Sequence, residues 1–315
     1  MFSFLSSPSI LILLIFFLVT NSLAKPIKNG FDLENSIIFA ENILQGGPPK
    51  EGIPSIDHPI FEQANQVDFL QEDDRILGIT FKGLSRAYPI KILNWHEIIN
   101  DVIEETAIVI SYCPLCGTGM IFQAKVKGQA LTFGVSGLLY NSDVLLYDRQ
   151  TQTLWSQILA KAISGKGVGT KLKTMPAIDT TWALWKQQHP DTWVLSTQTG
   201  YQRNYNQSPY GHYDSNDALY FPVVAKSKRY HPKERVLGLS IKGKHKAYPF
   251  VELSRHKENK IIDTFADQIL DIEFNAEKRT GTIKDKMGNV LVTTNSFWFA
   301  WYAFHPDTEI YSITK

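Results

Sequence analysis

Hydrophobic and polar positions alternate in short runs along most of the chain, and the runs are too brief and too rich in β-branched residues for long helices. Arg75–Phe81 and Arg235–Ile241 each read as a strand, followed by a Lys-Gly turn and an extended piece ending at Tyr88-Pro89 or Tyr248-Pro249. Proline donates no backbone N–H, so each of these marks a strand end or a first helical turn. The pattern over residues 90–99, with Ile90, Leu93 and Glu97 to one side, predicts a short helix, and the β-branched run 106–112 predicts a strand. Further strands are expected near 120–124, 130–135, 144–147 and 153–158. A helix over 181–189 is stopped by Pro190 and followed by a strand at 193–196. Residues 25–71 are poor in strand signals and carry Gly46, Pro48, Pro49, Gly52, Pro54 and Pro59, the pattern of an extended arm wrapping the core.

The pattern recurs. Arg75, Leu77-Gly78, Lys82-Gly83, Ala87-Tyr88-Pro89, Leu93 and His96 reappear 160 positions later as Arg235, Leu237-Gly238, Lys242-Gly243, Ala247-Tyr248-Pro249, Leu253 and His256. Trp185 and His189-Pro190-Asp191-Thr192 reappear only 116 positions later, as Trp301 and His305-Pro306-Asp307-Thr308. The change in displacement predicts about 44 additional residues in the middle of the first copy. The expected class is therefore α+β and β-rich: two unequal copies of one strand-rich unit, the first carrying an insertion that holds the cysteine turn. The expected divisions are 1–24, a leader; 25–72, the arm; 73–222, the first unit; and 223–315, the shorter second unit. Regular βαβ spacing and glycine-rich nucleotide signatures are absent.

Composition narrows the classes. Seven Trp, thirteen Tyr and eighteen Phe exclude a disordered chain, and a net charge of +1 supplies no field for nucleic acid. The first 24 residues hold no charged side chain and end in Ser22-Leu23-Ala24, which reads as a secretory leader. The protein is accordingly expected to be exported, to the periplasm or the extracellular space, with membrane attachment only if the leader is uncleaved.

The chemistry concentrates around Cys113-Pro114-Leu115-Cys116. A redox Cys pair of this spacing sits at a helix start, whose free amides favour the thiolate. Here Gly117 and Gly119 follow and no amphipathic helix develops, so the sequence reads as a tight knuckle bringing both sulfurs to one point. Thiolate ligands suit zinc or copper(I). His96 is the nearest histidine partner, and Met120 is a soft ligand if copper is bound. Against a ligand role, His256 occupies the equivalent of His96 in a copy with no cysteines, which fits a histidine serving the frame. A Cys113–Cys116 disulfide, structural or redox-active, remains a reading for an exported chain. Asp143 and Arg149 are the candidates for holding an oxygen-rich small polar ligand, Arg149 as a forked donor and Asp143 as acceptor or base; the competing reading is a framework ion pair. Nothing forms a nucleophilic triad.

Ala87-Tyr88-Pro89, Asn94-Trp95-His96-Glu97, Tyr112-Cys113-Pro114-Leu115-Cys116, the run from Phe133 to Ser142, Asp148-Arg149 and Leu154-Trp155-Ser156-Gln157 together resemble a mostly bacterial family catalogued as domain of unknown function 3179. The resemblance runs from about Arg75 to Tyr311 and implies export, but no reaction. Three functional classes follow. The first is an exported protein that binds zinc or copper or performs thiol redox through Cys113 and Cys116, exchanging with a partner protein. The second is a cleft-binding module for a small polar ligand or envelope glycan, using Asp143, Arg149 and Trp155. The third is a structural envelope protein pinned by a disulfide.

Overall fold

Turns of two residues at left-handed backbone angles set the architecture. At Lys82-Gly83, Glu104-Glu105, Asn141-Ser142, Lys242-Gly243 and Ala266-Asp267 both residues have positive φ, as in the turns whose twist matches the strands of a tight hairpin. Each closes an antiparallel pair directly across the turn: Phe81 with Leu84, Ile103 with Thr106, Tyr140 with Asp143, Ile241 with Lys244 and Phe265 with Gln268. One such hairpin lies in each of five sheets, and the five are arranged as a five-bladed β-propeller. The computed structural model describes residues 25–313; the expected leader, residues 1–24, lies outside the described residues.

Blade one joins Arg75–Phe81 and Leu84–Pro89 to Ile178–Thr181, Trp193–Leu195 and Phe61–Gln63. Blade two runs Ile98–Ile103, Thr106–Cys113, Thr118–Gln123 and Lys173–Met175. Blade three contains Phe133–Tyr140, Asp143–Asp148, Leu154–Ser156 and Lys161–Ser164, with Ile43–Gln45 from the arm on its edge. Blade four pairs Arg235–Ile241 with Lys244–Pro249 and Thr293–Phe297, and blade five is Lys260–Phe265, Gln268–Asn275 and Thr280–Asp285. Ile178–Thr181 lies against Thr280–Asp285, and Thr118–Gln123 against Thr293–Phe297, so blades distant in sequence face one another.

This arrangement corrects the expected class. The molecule is one set of five blades and not two unequal strand-rich units, and the cysteine turn is no insertion: it links the second and third strands of blade two. The residues that recur at 160 positions mark equivalent hairpins in blades one and four. In both, an indole covers a glycine, Trp185 over Gly78 and Trp301 over Gly238, where a Cβ would overlap the ring. The same indoles donate to Thr192 Oγ1 and Thr308 Oγ1 at 3.0 and 2.9 Å. The repeated His-Pro-Asp-Thr is thus a clamp that returns the chain after a short helix, Trp182–Gln188 or Trp298–Phe304.

Blade two reads as an unbroken apolar run because both its faces are covered. Ile108, Ile110 and Tyr112 enter a core shared with Leu77 and Tyr88 of blade one, whereas Val109 and Cys113 enter a core shared with Phe133, Val135 and Val144 of blade three. Period-two geometry alone puts Cys113 on the blade-three side. Among the described residues no helix is long and apolar enough to cross a membrane.

Candidate functional site

Three donors meet between blades two and three. Cys113 Sγ, Cys116 Sγ and a carboxylate oxygen of Asp143 lie within 4.8 Å of one another, and all three residues are buried. Both cysteines are free thiols. The knuckle is made by its own backbone: the Cys116 N–H donates to Cys113 O at 3.2 Å and to Cys113 Sγ at 3.3 Å. Gly117 follows at φ +59, and the Cys116 carbonyl accepts from the Phe297 N–H of blade four at 2.8 Å. No helix begins after Cys116; the chain passes directly into the strand Thr118–Gln123.

The third donor comes from the hairpin turn of blade three. Asn141 and Ser142 hold φ of 53° and 63°, a left-handed pair with no glycine to relieve it. That turn points the Ser142 carbonyl at both thiols, which donate to it at 3.5 and 3.4 Å. Asp143 follows immediately; its Oδ2 accepts from the Ile158 N–H at 3.1 Å, and its Oδ1 has no partner among the described residues.

Burial dominates the electrostatics. It pushes the Cys113 thiol up and the Cys116 thiol well above the ordinary thiol range, and it raises the Asp143 carboxyl to about 8. Burial thus favours the uncharged forms of all three groups, two thiols and a carboxylic acid. Two further buried atoms around this centre lack a partner among the described residues. One is Gln157 Oε1, whose amide donates to Ser111 Oγ and to the Thr118 carbonyl beside the knuckle. The other is the Tyr213 hydroxyl, raised by burial and then by the nearby Cys116 and Cys113.

The remaining expected residues have other partners. His96 is engaged at both ring nitrogens, by Pro54 O and by the Tyr205 hydroxyl, each at 2.8 Å, and it is not in the donor group. His256 makes the same bond to the Tyr311 hydroxyl at 2.8 Å, so the two histidines do a shared framework task after the equivalent hairpins of blades one and four. Met120 pairs with Ser111 and lies in the same apolar cluster as the two cysteines. Arg149 does not meet Asp143: it is held by Glu51, Ser55 and Asp57 of the arm, with contacts of 3.0 Å to Glu51 Oε1, 2.7 Å to Ser55 Oγ and 2.9 Å to Asp57 Oδ1. Trp155 donates to Asp148 at 2.9 Å within the blade-three core.

Two residues were not among the expected site residues. Glu97 follows the helix Ile90–His96 at φ 55, and its carbonyl receives the Tyr112 N–H at 2.7 Å. Burial raises its carboxyl to about 7, and the Tyr210 hydroxyl donates to its Oε1 at 2.7 Å. Tyr210 belongs to the crossover between blades one and four, 201–224, which also anchors on the hairpin turn: Ser142 Oγ donates to Phe221 O at 2.8 Å and the Val224 N–H to Asn141 Oδ1 at 2.9 Å. The available signal was the repeat itself, since the position equivalent to Glu97 is Lys257 where the cysteines are missing. Between crossover and blade three lies a cavity of about 480 Å³ which Cys113 and Glu97 both line. A larger space of about 700 Å³, lined by His189, Lys260, Glu273 and Lys284, lies between blades one and five and includes none of these donors.

Fold and site together define a β-propeller protein with a buried thiol–carboxyl centre beneath a crossover loop. The chain belongs to the family described as protein of unknown function (DUF3179), whose pattern matches residues 50–289 and takes in Glu97, the cysteine turn and Asp143. No curated protein and no solved structure matches it.

Proposed function

We propose that the protein holds a zinc ion between Cys113, Cys116 and Asp143, and that it works outside the cytoplasm. The observation that carries this reading is the convergence of three buried donors, Cys113, Cys116 and Asp143, the last with a carboxylate oxygen, Oδ1, that has no partner among the described residues. A buried polar atom without a partner costs about 1–3 kcal/mol, and a cation would satisfy the carboxylate and both sulfurs at once. The raised thiols argue against thiol redox as the primary chemistry, because an attacking cysteine is normally held below its ordinary range. A cation reverses that preference by binding the deprotonated forms. The mixed sulfur–oxygen donor set suits zinc, since copper(I) favours sulfur and nitrogen. The uncharged stretch before Lys25 supports export.

Metal analysis of protein purified from its native compartment without chelator tests the reading. About one zinc per chain is expected, as in other sites of this kind, with thiols that react with a disulfide reagent only after chelation. Asp143→Asn should weaken zinc binding by at least the ~10–100-fold that loss of an outer-shell partner costs, and Cys113→Ser should abolish stoichiometric binding. Stoichiometric copper would change the metal, and metal-free protein with reversibly oxidised thiols would overturn the assignment.

A further inference from the structure

Of the three donors only Cys113 lines the cavity of about 480 Å³. That volume falls in the ~300–1,000 Å³ range of small-molecule sites. Its walls are uneven in chemistry. Leu115 from the knuckle, Val135, Leu139 and Val144 from blade three and Phe221 from the crossover make one apolar surface. Apart from Cys113, the polar side chains of the lining are Glu97, Tyr210 and Tyr220, and Glu97 is its one carboxyl. Glu97 is 6% exposed and forms no salt bridge among the described residues, and the single hydrogen bond of its carboxyl there is the one received from Tyr210 at Oε1. Enclosure of this kind favours the neutral acid, a form with a proton to donate. A ligand that fits must therefore bring an acceptor to that end and hydrocarbon elsewhere. A sugar, with hydroxyls on every side, would strand its polar groups against the leucine and valine wall.

We propose that this cavity is the binding site for a small, uncharged, mainly apolar molecule bearing one carbonyl-type acceptor, seated with the acceptor against Glu97 and the apolar body along blade three, in reach of Cys113. The proposal deepens the metal reading, because a centre with three protein donors leaves a position for an exogenous group, yet the cavity stands on its own lining and can be tested without metal.

Prodan, a neutral aromatic ketone whose emission reports both the polarity around it and hydrogen bonding to its carbonyl, is the probe. With the metal-free full chain, saturable binding of one probe per chain is expected, with methyl decanoate displacing it far better than decylamine. Leu139→Trp, which fills the cavity, should weaken binding by about tenfold or more, while Glu97→Leu should keep binding but remove the ester's advantage over decane. Because the filled variant could misfold, the second readout uses the unaltered protein: bound prodan should slow alkylation of Cys113 by N-ethylmaleimide. Both readouts use metal-free protein, so failure of the metal reading leaves this result legible. No saturable binding, preference for decylamine, or unprotected Cys113 would each overturn the proposal.

Discussion

Asp143 and Glu97 are carboxyls whose protonated form burial favours, and different local devices bring them to their places. Asp143 is delivered by a strained hairpin turn, and Glu97 by a helix end at positive φ. The consequence for Glu97 is a stability term with a definite sign. Its folded value, about 7, lies above the ordinary 4.5, so the folded state holds a proton that the unfolded chain has lost between those limits. The contribution is complete below about pH 4.5 and is lost as the pH rises through about 7. Urea unfolding of the metal-free protein should show Glu97→Gln losing less stability than the parent between pH 5 and pH 8; parallel curves would mean that Glu97 is charged in the fold. At this scale the sequence disclosed the cysteine knuckle, because Gly117 and Gly119 forbid the helix a redox pair needs. It did not disclose Asp143 as the third donor. The reading paired Asp143 with Arg149, six residues on, whereas two left-handed residues turn Asp143 towards the thiols and the arm takes Arg149 away.

Elements explain why the motif-rich segments turned out to be framework. Tyr88 donates to Asp101 at 2.6 Å, and Tyr248 to Asp263 at 2.8 Å, so each repeated Tyr-Pro ties its hairpin to the next blade. Each repeated Trp seals a glycine, and each His-Pro-Asp-Thr clamps that Trp. These recurrences were visible in the sequence because local clamps require the same residues wherever the hairpin is used. The grouping into five blades was not, since it depends on contacts such as Ile178–Thr181 against Thr280–Asp285 that no local pattern records. The element scale makes a sharp prediction. Gly78→Ala or Gly238→Ala forces a methyl into an indole that is itself fully buried, and overpacking of this kind costs about 1–3 kcal/mol, occasionally more. Gly83→Ala, where a Cβ meets nothing within 4 Å, isolates the backbone cost of a positive φ from that of packing. Thermal unfolding should order the three with the Trp-covered positions lowest.

On the scale of the whole molecule, one buried carboxylate connects the cysteine centre to the closure of the propeller. Asp179, on an edge strand of blade one, pairs with Arg75 of its own blade and, at 3.3 Å, with Arg235 of blade four. Arg235 also donates at 3.0 Å to the carbonyl of Gly117, the residue that ends the knuckle. Blades one and four therefore grip the cysteine turn of blade two through a single guanidinium. Arg75 donates in addition to the Lys278 carbonyl at 2.8 Å, and Thr280 Oγ1 to the Asp179 carbonyl at 2.8 Å, which brings blade five to the same point. Removing the carboxylate strands two largely buried cations, so Asp179→Asn should destabilise the protein by roughly 3–5 kcal/mol in urea unfolding. It should also weaken zinc binding at the distant thiols, because the released Arg235 no longer fixes Gly117. Arg75→Met, which leaves the Asp179–Arg235 pair in place, should lower stability with little change in zinc affinity. Equal losses of affinity in the two variants would mean that the metal site senses general loosening, whereas a loss confined to Asp179→Asn identifies the Arg235–Gly117 contact as the connection between blade closure and the centre.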